Sequence, residues 1–364
     1  MIQNSNFVEI DGSYGEGGGQ ILRTALSLSV VLKKPCFIFN IRKNRENPGL
    51  ALQHLVGIQA LSELYNAKLE GDEIGSGEII FEPNEIFRTD IEIKIETAAS
   101  ITLILQMLLL PALLSGKKIK IKFKGGATDT FFSPKIDYFR YVFLPMLEKI
   151  ISSLPGNNNG KLEVEISRRG FYPKGEAEVE NYISPINFSQ KVKEFNLTKR
   201  GELKKILIIS GASEILKEKK VAERQLSGTH QTPLFYKKAH LPIETKIEYY
   251  DSPLAGSQVT IVGQFENTFI GTSILGKPEK SSEEVGKEAA MEFLEETKGE
   301  NTLDSHLSDQ ILPYIALFTK SAKIKTSKVT EHLRTNIWVI EKFIKGKFKT
   351  KDNIISWNNN VRNF

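Results

Sequence analysis

A unit that recurs along the chain constrains its fold more than any single motif does. Gly19-Gln20-Ile21-Leu22-Arg23-Thr24-Ala25-Leu26-Ser27-Leu28 and Asp309-Gln310-Ile311-Leu312-Pro313-Tyr314-Ile315-Ala316-Leu317 both open an apolar helical segment with Gln-Ile-Leu. Each is followed by a lysine-marked turn and a β-branched or aromatic run, Cys36 to Ile41 and Lys323 to Val329, and then by a second helix predicted from Pro48 and from near Glu331. The middle of the chain holds a third copy: a helix predicted over Ser100 to Leu114, the turn Ser115-Gly116-Lys117-Lys118, an alternating strand Ile119 to Phe123, Gly125-Gly126, and a helix over Pro134 to Ile151. Hairpin-like strands are predicted at Gly77 to Glu82 and at Lys161 to Ile166 with Glu176 to Ile183. A β-α-β-α-β-β unit of this size cannot close a core alone. The expectation is therefore an α/β (α+β) fold in which three such units pack around a shared axis.

Gln20 and Gln106 lie much closer in sequence than Gln106 and Gln310, which predicts an insertion over Ser184 to Lys277. That stretch reads as a small α/β module, with a strand at Lys205 to Ser210, a charged helix at Ala212 to Gln225, and strands at Thr245 to Tyr250, Gln258 to Phe265 and Thr268 to Leu275. An acidic helix over Ser281 to Lys298, with Val285, Ala289, Phe293 and Leu294 at helical spacing, is expected to return the chain to the main body. The resulting domain plan is 1–183 with 278–345 for the repeats, 184–277 for the inserted domain, and 346–364 as a tail or closing strand.

Asp11-Gly12-Ser13-Tyr14-Gly15-Glu16-Gly17-Gly18-Gly19 carries a strand into the first of these helices. Such a loop lets backbone amides approach an anion, and the helix start adds partial positive charge. Neither common phosphate loop fits, because Gln20 replaces the third glycine of a dinucleotide fingerprint and no Gly-Lys-Ser/Thr follows. The loop alone leaves two readings open: an anion site, or a tight strand-to-helix turn.

Among the 364 residues, 49 Lys and Arg against 44 Asp and Glu give a net charge of +5, too small an excess to demand a polyanionic partner. A localised basic cleft matters more than the total. Cys36 is the only cysteine and sits in an apolar run, which suits a reducing compartment. The start, Met1 to Asn6, lacks the pattern of a secretory signal, and Ile101 to Leu114 is too short to span a bilayer. The expected location is cytoplasmic, with no membrane and no obligate protein partner.

In the repeat picture the reactive side chains gather at equivalent helix starts: Glu16 and Arg23, then Gln106, then Asp309 and Gln310, with Gln53, His54, His332, Arg334 and Asn336 from the second helices. Near a helix N-terminus His332 is disfavoured as imidazolium and kept nucleophilic, although a capping histidine fits the same position. Arg42 and Arg45 either clamp a phosphate or form a solvated loop. His306 either stacks on a base or packs in its loop, and His230 and His240 have no assigned role. No His and Cys spacing suggests zinc, so any metal needs hard oxygen ligands such as Glu16.

Taken together, the motifs from Asp11 to Arg23, Arg42 to Leu50 with Gln53-His54, Gly125-Gly126-Ala127-Thr128-Asp129, Gly170-Phe171-Tyr172-Pro173-Lys174-Gly175, His306-Leu307-Ser308-Asp309-Gln310 and Thr330-Glu331-His332-Leu333-Arg334-Thr335-Asn336-Ile337 resemble RNA 3′-terminal phosphate cyclases along nearly the whole chain. The resemblance implies three repeats, each with two helices on a four-stranded sheet, plus an inserted α/β domain. It also implies ATP-dependent conversion of an RNA 3′-terminal phosphate to a 2′,3′-cyclic phosphodiester, with ATP and a divalent cation (Mg²⁺ or Mn²⁺) as cofactors and RNA with a 3′-phosphate end as partner. By resemblance His332 becomes adenylylated and Glu16 helps hold the metal. Gln106 with Ser305, His306, Leu307, Ser308, Asp309 and Gln310 forms the adenylate pocket, and Arg23, Arg42, Arg45, Gln53 and His54 lie near RNA phosphates.

Two departures stand out. Ala127 occupies a position where threonine is common, and His306 stands where some members have tyrosine; either ring stacks on a base. Two other readings compete: a non-catalytic RNA-binding relative acting in ribosome assembly, which lacks the nucleophilic histidine, and an enolpyruvyl-type transferase with a related repeated fold, which needs no nucleotide-labelled histidine.

Overall fold

The computed structural model describes residues 7–156, 158–234 and 242–359. Met1 to Asn6 and His240 lie outside the described residues. The first unit runs β1 (Val8–Asp11), α1 (Gly19–Leu32), β2 (Cys36–Phe39), α2 (Leu52–Tyr65), β3 (Lys68–Glu70) and β4 (Ile79–Glu82). Its sheet has the order β1-β2-β4-β3, with β1 and β2 parallel and the other pairs antiparallel.

The second unit repeats this plan: β5 (Asp90–Ser100), α3 (Ile101–Leu114), β6 (Ile119–Ala127), a helical segment, then β7 (Lys161–Arg168) and β8 (Glu178–Ser184), in the order β5-β6-β8-β7. The segment consists of α4 (Ile136–Tyr138), a π-helical turn over Phe139–Phe143, and α5 (Leu144–Ser152). Strand β5 was not anticipated. Its alternation is plain, with Ile91, Ile93 and Ile95 buried between exposed Glu92, Lys94 and Glu96, yet its charged face masks the signal.

The third unit opens with β9 (Val192–Leu197), which lies inside the stretch expected to be inserted. The chain then leaves this unit for β10 (Leu203–Ser213), α6 (Val221–His230), β11 (Ile243–Tyr250), β12 (Ser257–Phe265), β13 (Phe269–Leu275) and α7 (Ser282–Glu296). It returns through α8 (Ser305–Phe318), β14 (Thr319–Lys325), α9 (Glu331–Phe343), β15 (Lys347–Lys351) and β16 (Ile354–Asn358). Strand β9 pairs in parallel with β14, giving the order β9-β14-β16-β15 and the same strand logic as the first two sheets. The intervening elements form a fourth sheet, β11-β10-β12-β13. The fold is thus a mixed α/β architecture of repeated units.

Packing explains one further difference. Helix α7 does lead the chain back to the third unit, but its apolar face stays with the module: buried Val285, Ala289 and Phe293 join Ile206, Ile208, Val259 and Ile261 in the core of the fourth sheet. A separate, larger core runs through all three units, where α1 packs against α2, α3 and α9. Helix α3 is buried over most of its circumference, and Ser100 caps it by accepting a hydrogen bond from the Leu103 N–H at 3.3 Å. Removing a fully buried side chain such as Leu108 costs about 2–5 kcal/mol. Among the described residues no helix is long and apolar enough to cross a membrane.

Candidate active site

The loop between β1 and α1 is shaped by its glycines and docked on α9. Gly15 has φ +55°, and a Cβ there would lie 2.5 Å from Thr335 Oγ1, so only glycine lets the loop approach α9 this closely. The same hydroxyl accepts a 3.4 Å hydrogen bond from the Glu16 N–H. Gly19, the first residue of α1, faces the His54 ring: a Cβ would meet Nε2 at 2.1 Å. Nδ1 of that ring accepts the Ala51 N–H at 3.3 Å, which leaves the proton on Nε2, directed at the glycine loop. Burial, with Arg23 and Arg42 nearby, drives the His54 pKa down to about 3, so the ring meets an anion as a neutral donor rather than as a cation.

His332 lies in the first turn of α9, whose N-terminus Thr330 caps by accepting the Leu333 N–H at 3.0 Å. Its Nδ1 is 2.5 Å from Glu16 Oε2, although the alignment is not that of a hydrogen bond and Oε2 is left buried without a donor. The other carboxylate oxygen, Oε1, is held by Arg45 at 2.7 Å, and Arg45 also donates to the Glu16 carbonyl at 3.0 Å. Desolvation lowers the His332 pKa, Arg23, His306 and Arg45 reinforce the shift, and Glu16 opposes it. The ring is therefore neutral near pH 7. Nε2 has no hydrogen-bond partner among the described residues.

These groups share one cleft of about 690 Å³ at the junction of the three units. The first unit supplies Glu16, Arg23, Arg42, Arg45, Gln53 and His54; the second supplies Gln106 and Tyr138; the third supplies His306, Asp309, Gln310 and His332. Arg23 is the most telling of them. Its guanidinium makes no ion pair or hydrogen bond to any described residue, and burial pushes its pKa down to about 10 against the opposing fields of Asp309 and Glu16. A half-buried cation left without a partner marks the position of an anionic ligand. Arg42 donates to the Gly49 carbonyl at 2.9 Å.

Gln106 donates to Gln310 Oε1 at 2.9 Å, which ties the second unit to the third. Both are the sixth residue of their helices, whereas Gln20 is the second residue of α1, so the Gln-Ile-Leu echo in sequence is displaced by one helical turn in space. Asn336 links the first and third units: Thr24 donates to its Oδ1 at 2.6 Å, and its Nδ2 donates to the Asp309 carbonyl at 2.6 Å. Burial holds the Asp309 carboxyl well above the usual range.

Ser305, Leu307 and Ser308 stand apart from the other anticipated residues. Leu307 and Ser308 are fully buried, Thr326 donates to Ser308 Oγ at 2.9 Å, and Ser305 Oγ donates to Glu296 Oε1 at 2.7 Å. They build the start of α8 and do not line the cleft. Gln53 lines the cleft, but its Oε1 already accepts the Ser100 N–H at 3.1 Å.

The structure adds Tyr138, Lys135 and Glu292 to the lining. Tyr138 donates at 2.6 Å to Asp304, which caps α8 through the His306 and Leu307 N–H groups, and it meets the His306 ring edge-on at 6.4 Å. Sequence periodicity gave no sign of Glu292, because α7 read only as an amphipathic helix. An Asp preceding Ser-His-Leu-Ser is a helix-cap signature, and it is the sequence signal from which the Asp304 cluster could have been found.

Repeated α/β units whose junction holds converging arginines beside a neutral histidine define a protein built to handle phosphoryl groups. The comparisons with known proteins agree. The family model described as RNA 3′-terminal phosphate cyclase matches residues 14–350. Proteins named RNA 3′-terminal phosphate cyclase from Pyrococcus furiosus, Sulfurisphaera tokodaii and Ignicoccus hospitalis are similar to it. The first is 42% identical, with 95% of each chain covered; the second is 41% identical, covering 93% of this chain and 94% of the relative; the third is 38% identical, covering 93% and 92%. The chain belongs to the RNA 3′-terminal phosphate cyclase family.

Proposed function

We propose that this enzyme converts an RNA 3′-terminal phosphate to a 2′,3′-cyclic phosphodiester at the expense of ATP, through an AMP adduct on His332. The observation that carries the reading is the cleft itself. Arg23 has no hydrogen-bond or ion-pair partner among the described residues, and the same cleft holds an imidazole kept neutral whose Nε2 is likewise without a hydrogen-bond partner among them. Family membership supports the cyclase chemistry; the residue roles are those the family resemblance implies, and the gathering of these side chains in one cleft supports them.

In the first step Nε2 of His332 attacks the α-phosphorus of ATP, a phosphorus–nitrogen bond forms, and pyrophosphate leaves. Glu16, beside Nδ1, stabilises the positive charge that develops on the ring, while Arg23 and Arg45 offset charge on the phosphoryl oxygens. An oxygen of the RNA 3′-phosphate then attacks the adduct phosphorus, which frees His332 and leaves the RNA end joined to AMP through a phosphoanhydride. Arg23, Arg42, Arg45, Gln53 and the Nε2–H of His54 are the groups assigned to that phosphate. The adjacent 2′-hydroxyl, held at high effective concentration, attacks the RNA phosphorus and AMP departs. Gln106, His306, Asp309 and Gln310 are assigned to the adenylate.

The residues also suit a divalent cation. No cluster of three or more metal-ligating side chains occurs among the described residues, yet Glu16 Oε2 is a buried oxygen without a donor. Glu16 together with phosphate oxygens from the substrate would hold Mg²⁺ or Mn²⁺, which when bound supplies Lewis-acid neutralisation of phosphate charge. Action in the cytoplasm is the reading that buried, unpaired Cys36 supports.

Intact-protein mass spectrometry after incubation with ATP and Mg²⁺ or Mn²⁺ tests the proposal. One acid-labile AMP per chain is expected on the wild-type protein and none on His332→Ala. An adduct mapped to a lysine, or RNA binding with no adduct at all, overturns it.

A further inference from the structure

From the rim of the cleft outward the structure carries a row of aromatic and cationic side chains to which the reaction steps above assign no part. The loop after β6 brings Phe131 and Phe132 to the mouth of the cleft, and Phe132 is 96% exposed. Tyr172, on the turn between β7 and β8, is 58% exposed and does not line the cleft. The Phe131 and Tyr172 rings meet edge-on, with centroids 5.8 Å apart and planes at 73°. Lys277, which follows β13 in the inserted module, places its ammonium 5.3 Å above the Phe131 ring. Phe132 and Tyr172, kept in water on either side of half-buried Phe131, gain little from burial within the chain, so they form a contact surface for something outside it.

We propose that this row seats single-stranded RNA upstream of the last two nucleotides before the 3′-terminal phosphate, with bases stacking on Phe132 and Tyr172 and the backbone phosphates meeting Lys277. The inference rests on the reading above, that the arginines of the cleft hold an RNA 3′-phosphate. An aromatic face accepts any base, and alternation of rings with a cation matches the alternation of bases and phosphates along a strand. The occupant is RNA rather than the base of ATP because Tyr172 and Lys277 lie beyond the cleft lining, where one nucleotide held inside does not extend. The second unit and the inserted module thus share one track leading to the arginines.

Steady-state cyclisation of a 3′-phosphorylated dinucleotide and a 3′-phosphorylated decanucleotide tests this, with direct binding of the labelled decanucleotide measured alongside. For Phe132→Ala and Tyr172→Ala, KM and Kd for the decanucleotide are expected to rise about tenfold. The dinucleotide KM, the ATP KM and RNA-free AMP labelling should stay at wild-type values, and Tyr172→Phe should restore tight binding. Phe132 is almost wholly in water, so its substitution leaves folding intact. Unchanged KM and Kd for the decanucleotide in both variants overturn the proposal. A raised ATP KM with normal RNA binding also overturns it and makes the row a cover for the nucleotide. If the wild-type protein acquires no AMP, the cyclase mechanism fails separately, and the binding measurements still decide whether the row holds RNA.

Discussion

His54 shows how a single residue couples the site to stability. Its ring is buried against Gly19 and stays neutral down to a pKa of about 3, whereas in an unfolded chain it titrates near 6.5. As the pH falls below 6.5 the unfolded state takes up the proton first, so stability declines between pH 6.5 and 3, by up to about 1.4 kcal/mol per pH unit. Urea unfolding across that range should show the slope in the wild-type protein and a flatter profile in His54→Gln. An equal slope in both would mean that other groups dominate. Much of the cleft lining was legible at this scale: Glu16, Arg23, Arg42, Arg45, His54 and His332 are polar residues in loops or the first turns of helices, where chemistry is visible in the letters, while Gln106 sits a turn deeper in α3 than the sequence echo placed it. Ser305, Leu307 and Ser308 were grouped with them because they are contiguous in the motif. Helical geometry turns Leu307 and Ser308 inward and leaves only part of the motif facing the cleft.

Among the elements, the Gly-Gly-Ala-Thr-Asp segment at the end of β6 has a structural task that its sequence does not announce. Arg169 donates to both oxygens of Asp137, at 2.7 and 2.8 Å, and to Asp129 at 3.2 Å, while its guanidinium lies 4.1 Å from the Tyr250 ring centroid. Gln258 of β12 donates to Asp137 at 2.9 Å, so a buried polar cluster joins the second unit to the inserted module. Removing the cation strands buried carboxylates. Arg169→Ala should lose about 3–5 kcal/mol in chemical denaturation, and a loss below about 1 kcal/mol would show that the cluster relaxes or hydrates. Periodicity located most helices, but it could not assign β9 or α7 to their partners. Strand pairing and helix docking depend on contacts distant in sequence, and an amphipathic stripe does not say which core it enters. The Gln-Ile-Leu echo had the same weakness, since only the N-cap Asp304 sets where α8 begins.

For the whole molecule, a cleft lined by all three units makes ligand binding a global stabiliser. An ATP analogue with a non-cleavable α–β bridge, at a hundred times its Kd, should add about 2.7 kcal/mol to stability and raise the Tm by several degrees in a thermal melt. Arg23→Ala should abolish the rise, and a full rise in that variant would remove Arg23 from the binding site. The threefold plan itself was readable because equal units repeat an order of elements, and order survives where exact spacing does not. The excursion between β9 and α8 has a consequence for how the protein is born. Val192 leaves the ribosome long before its partner Thr319 exists, so a nascent strand must stay unpaired while an entire module is synthesised and compacts. The third sheet is therefore the last to seal, and with it the helix that carries His332, so a truncated translation product has no means of completing the cleft.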